Sequence, residues 1–84
     1  MARILQIEDN EDIQNILFNL FSGEHDIIQA YSGTEGELLF QSQEIDLVLL
    51  DIMLPGKGDE EVLKVMRQRS SVPVIMLTAL GDKH

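Results

Sequence analysis

Leu47-Val48-Leu49-Leu50 is a run of four apolar residues broken off sharply by Asp51. A strand that alternates apolar and polar residues has one wet face, but a continuous run has none, so this strand is covered on both sides. A second run of the same kind spans Val72 to Leu77, with Pro73 near its start, where a strand tolerates proline. Two such strands in 84 residues call for a parallel sheet with helices on both faces. The composition permits this: 44% hydrophobic and 25% charged residues are the proportions of a globular chain rather than a disordered one.

The rest of the chain supplies the connecting helices. Ile4 to Ile7 is a β-rich run ending at Glu8-Asp9. Asn10 suits an N-cap, with Glu11 and Asp12 well placed in a first helical turn. Ile13, Ile16, Leu17, Leu20 and Phe21 then recur at helical spacing and predict one buried face, stopped by Ser22-Gly23. A weaker strand runs from Asp26 to Tyr31. Ser32-Gly33-Thr34-Glu35 reads as a capping box opening a short helix through Leu38 and Leu39, despite Gly36. After the Asp46–Leu50 strand, the segment from Met53 to Gly58 is a loop. Asp59 is then expected to cap a helix through Val62, Leu63, Val65 and Met66, ending near Ser70. The order is β-α-β-α-β-α-β, a doubly wound α/β layer with right-handed crossovers.

Ligands of such sheets bind beyond the C-terminal ends of the strands. Glu8 and Asp9 follow the first strand, Asp51 the third and Thr78 the fourth. Three carboxylates gathered at one end repel one another unless a cation or proton intervenes. An all-oxygen donor set without His or Cys suits Mg2+. Glu8 and Asp9 equally suit a loop that opens the first helix, and spacing alone does not choose between the two roles. Asp51, directly behind a buried run, is harder to read as a solvated residue.

Several function classes drop out. The chain has no cysteine, which excludes disulfides and thiolate chemistry. Fifteen acidic residues against six basic give a formal charge of −9, which opposes direct contact with nucleic acid or an anionic membrane. No signal peptide or membrane span is expected, and a cytoplasmic protein is. Gly56 and Gly58 are not followed by the Lys-Ser/Thr of a nucleotide-binding P-loop. A haloacid-dehalogenase-type phosphohydrolase and a topoisomerase-primase nuclease both require a second aspartate where this chain has Met53. His25 is expected to be a solvated loop residue, Met66 and Met76 core filling, and Glu60–Lys64 an exposed i,i+4 pair.

Three segments together resemble the receiver domain of two-component response regulators. They are Ile4-Leu5-Gln6-Ile7-Glu8-Asp9-Asn10-Glu11, Asp46 through Gly56, and Pro73-Val74-Ile75-Met76-Leu77-Thr78-Ala79. The resemblance runs the length of the chain. It implies a flavodoxin-like sheet of strand order 2-1-3-4, and a signalling domain rather than an enzyme. That domain would accept a phosphoryl group on Asp51 from a histidine kinase. It further implies Mg2+ held by Glu8, Asp9, Asp51 and the Met53 backbone carbonyl. Thr78 would be the hydroxyl that turns to the phosphoryl group, with the small Ala79 beside it. Two departures stand out. Family loops commonly read Pro-Gly-x-Asp-Gly, where this chain has Pro55-Gly56-Lys57-Gly58-Asp59. Residues 1–84 also match only the N-terminal part of the family domain, without its fifth strand, the lysine on it and the last two helices. The alternative is accordingly a truncated receiver, inactive in signalling and serving as a folding or assembly unit. In either case the edge of the fourth strand is expected to drive self-association into a homodimer.

Overall fold

The computed structural model describes residues 2–51 and 59–77. Its elements are β1 (Arg3–Ile7), α1 (Glu11–Phe21), β2 (Asp26–Ala30), α2 (Gly33–Ser42), β3 (Leu47–Asp51), α3 (Asp59–Arg69) and β4 (Val74–Leu77). All strand pairs are parallel and the order is β2-β1-β3-β4, as the resemblance implies. The two central strands, β1 and β3, are therefore the two that end in carboxylates.

One side of the sheet carries the main core. Leu5 and Ile7 of β1, Ala30 of β2, and Val48 and Leu50 of β3 pack with Val62 and Met66 of α3. Helix α2 comes close to β1 because residue 36 is glycine. A Cβ there would lie 2.5 Å from Ile7 Cδ1 and 2.8 Å from its Cγ1, well inside contact distance. The glycine that weakens the helical pattern is what lets α2 sit down on the sheet.

The caps form as the sequence predicts, with one variation. Asn10 is extended (φ −86°, ψ 120°) and its Oδ1 accepts from Ile13 N–H at 3.0 Å. Ser32 Oγ accepts from Glu35 N–H at 3.1 Å, but Glu35 Oε1 accepts from Tyr31 N–H at 2.7 Å, one residue before the cap. The cap expected of Asp59 and the Glu60–Lys64 pair lie outside the described side chains; α3 itself begins at Asp59.

Three expectations need correction. Strand β4 starts at Val74 rather than Val72, and its Ile75 is 50% exposed, so this strand is not covered on both sides. The buried face of α1 holds Gln14 and Leu17, while Ile16 (58%) and Leu20 (69%) are exposed. The helix is rotated toward its glutamine because that side chain meets the ends of β1 and β2. Finally, His25 is half-buried, and its Nδ1 accepts from Ala2 N–H at 3.0 Å, which ties down the start of the chain.

Candidate phosphoacceptor and metal site

Register builds the site. Ile7 pairs with Leu50 across β1 and β3, so the next residues along, Glu8 and Asp51, come out side by side at the sheet's C-terminal end. Asp9 follows as β1 turns toward α1. One carboxylate oxygen from each of Glu8, Asp9 and Asp51 lies within 4.8 Å of the others. Glu8 and Asp51 are buried, at 2% and 1% exposure, whereas Asp9 is exposed. Two carboxylates face inward at the bottom of the cluster and the third closes it from the solvent side.

Backbone hydrogen bonds fix these positions. Glu8 N–H donates to Ala30 O at 3.0 Å, which anchors the end of β1 to β2. Glu8 Oε2 accepts from Asn10 N–H at 2.9 Å, so the same short turn caps α1 and orients Glu8. The turn that opens α1 thus also holds the Glu8 carboxylate close to those of Asp9 and Asp51.

Beneath the site lies a pair of buried glutamines that the sequence reading passed over. Gln14 Nε2 lies 3.1 Å from Gln6 O, 3.0 Å from Glu8 O and 2.7 Å from Ala30 O, three carbonyls sharing two N–H groups. Gln6 Nε2 donates in return to Gln14 O at 3.0 Å and to Gln14 Oε1. The signal available was Gln6 itself, a polar residue in the middle of an apolar strand, with a second glutamine one helix turn beyond the cap.

A donor set of three carboxylates, two of them buried, fits a hard divalent cation such as Mg2+, which takes oxygen ligands from one or two carboxylates and water. Like-charged carboxylates this close are favoured by a cation among them. Met53, Thr78 and Ala79 lie outside the described residues. The larger of the described clefts, about 450 Å3, is at the opposite end of the sheet, lined by Phe40, Glu44, Ile45 and Asp46. Among the described residues, the group of carboxylates that could share a metal ion, Glu8, Asp9 and Asp51, stands at the other end of the sheet. No helix among the described residues is long and apolar enough to cross a membrane.

Known proteins give the same picture. The profile of the response regulator receiver domain matches residues 4–84. The receiver domain of the Francisella response regulator 1452 superposes with a TM-score of 0.88 at 27% identity, covering 99% of this chain and 70% of that one. The N-terminal domain of a response regulator receiver protein from Methanoculleus marisnigri gives 0.89 at 31% identity, over 95% and 68%. The BeF3-activated N-terminal receiver domain of RstA from Klebsiella pneumoniae gives 0.84 at 29%, over 96% and 70%. With the family profile spanning nearly the whole chain and the fold and acidic cluster in agreement, this chain belongs to the response regulator receiver domain family.

Proposed function

We propose that the chain is a phosphoacceptor in a cytoplasmic two-component pathway, taking a phosphoryl group from a histidine kinase onto Asp51. The observation that carries this reading is the placement of Asp51: a buried carboxylate at the end of a central strand, with Glu8 and Asp9 within 4.8 Å. In the transfer, an Asp51 oxygen forms a bond to phosphorus while the bond from phosphorus to the donor's imidazole nitrogen breaks. The electron pair of that broken bond stays with the imidazole. The chain is thereby a signalling domain that is itself modified, at most assisting its own phosphorylation, rather than an enzyme with turnover. That the Klebsiella relative is BeF3-activated agrees with a site of this kind.

Asp9, Asp51 and the Met53 carbonyl would hold Mg2+ directly, with Glu8 acting through water. Bound there, the cation supplies positive charge opposite the phosphoryl oxygens and offsets anion–anion repulsion. The chain's own residues do the remainder. β1 and β3 hold the carboxylates in place, the Asn10 turn orients Glu8, and the Thr78 hydroxyl would donate to a phosphoryl oxygen. Incubation with a small-molecule phosphodonor and Mg2+, followed by intact-mass measurement, tests the reading. The chain should gain one phosphoryl group, and chelation of Mg2+ should suppress the gain. A chain that stays unmodified under conditions that label a complete receiver would refute it.

A further inference from the structure

Glu8 and Asp9 are neighbours in sequence, so the peptide that joins them sets how their two carboxylates leave the backbone. That peptide is planar, and its carbonyl is Glu8 O. The carbonyl accepts from Gln14 Nε2 at 3.0 Å, while Glu8 N–H donates to Ala30 O at 3.0 Å. Glu8 is thus bonded to β2 through its N–H and to α1 through its carbonyl. Gln14 is itself fixed at both ends. Its backbone N–H donates to Asn10 O at 3.0 Å in the first turn of α1, and its Nε2 also reaches Gln6 O and Ala30 O. Gln6 Nε2 donates to Gln14 Oε1, which holds that oxygen away from the three carbonyls and turns the NH2 group toward them. Both glutamines are fully buried, so solvent does not compete for these bonds.

We infer that Gln14, oriented by Gln6, is a positioning residue that sets which cation the carboxylates hold, favouring Mg2+ over Ca2+. The inference rests on the reading of Glu8, Asp9 and Asp51 as a Mg2+ site. Mg2+ requires near-octahedral oxygens at about 2.0–2.1 Å, whereas Ca2+ accepts oxygens at about 2.3–2.6 Å in irregular arrangements. Selectivity between them therefore depends on how firmly the ligands are held. Asp51 is the last residue of β3 and is fixed by its ladder with β4. Asp9 is exposed and stands beyond the end of β1, so its backbone position follows from the peptide that Gln14 holds. Without that hold the peptide can tilt. The carboxylates then lose the close arrangement that the smaller ion needs, while the larger ion tolerates the change. A helix side chain thereby takes part in cation choice without being a ligand.

Calorimetric titrations of Mg2+ and of Ca2+ into the wild-type chain and its variants test this, with circular dichroism confirming that each folds. Gln14→Leu should lower Mg2+ affinity about tenfold, the usual effect of losing a group that orients a metal ligand. It should lower Ca2+ affinity less, so that the Mg2+/Ca2+ affinity ratio falls at least about threefold. Gln6→Met keeps the Gln14 amide but removes the bond that orients it, and should lower the ratio in the same direction by a smaller amount. It also serves as the test if Gln14→Leu does not fold. Val72→Ala trims the core just before β4, at the opposite end of the sheet from the carboxylates, and should lower stability with the ratio unchanged. If the wild-type chain binds Mg2+, a ratio unchanged in the glutamine variants, or lowered equally by Val72→Ala, would overturn the inference and leave the cation site standing. A wild-type chain that binds no Mg2+ would instead refute the site, and the inference with it.

Discussion

At the scale of single residues, Gln14 connects the core to the site. Its amide serves the carbonyls of Gln6, Glu8 and Ala30, all inside the protein, and so sets where the end of β1 stands. Gln14→Leu has nearly the same size but takes the side-chain donor away from those carbonyls, of which Ala30 O keeps its bond from Glu8 N–H, a loss of about 1 to 3 kcal/mol measurable by urea unfolding. Because Glu8 O is one of the three, the variant should also bind Mg2+ more weakly than wild type in a calorimetric titration. Asp9→Asn should weaken Mg2+ binding more than it affects stability, since Asp9 is exposed. An unchanged titration would remove Asp9 from the ligand set. The carboxylates were legible in the sequence because each stands at the end of an apolar run. Gln14 was not, because apolar periodicity locates a helix face by its hydrophobic members and is blind to a polar residue whose partners are backbone carbonyls.

Among the elements, the contact of α2 with β1 is the most constrained. Gly36→Ala improves intrinsic helix propensity by about 1 kcal/mol. It also drives a methyl group into the fully buried Ile7, whose Cδ1 and Cγ1 must shift to make room. Overpacking of this kind costs roughly 1–3 kcal/mol, so the variant should be less stable on balance, by about 1 kcal/mol in chemical denaturation. Adding Ile7→Val removes the Cδ1 atom at 2.5 Å and should recover part of the loss. The strands and helices themselves were readable because caps and breakers punctuate them: Asn10 and Ser32 cap as expected, and Ser22 ends α1. What the pattern misjudged was coverage. Val74 to Leu77 is as apolar as β3, but it sits at the edge of the described sheet, and burial of an edge strand depends on neighbours that its own sequence does not encode.

For the whole molecule, strand order decides the chemistry. Placing β1 and β3 at the centre brings Glu8 and Asp51 together in the interior of one sheet end, which neither strand does alone. Mg2+ should therefore stabilise the fold through binding to the native state. At ten times its dissociation constant the gain is about 1.4 kcal/mol, visible as a rise in melting temperature that Asp51→Asn diminishes. The claim on which the account rests is that Asp51, rather than either neighbouring carboxylate, takes the phosphoryl group. Treating the phosphorylated chain with borohydride reduces an acyl phosphate to the alcohol, and peptide mass spectrometry then reports which residue was converted. The account predicts conversion at Asp51 only, and none in Asp51→Asn. Conversion at Glu8 or Asp9 in the wild-type chain, or persistent phosphorylation of Asp51→Asn, would contradict it.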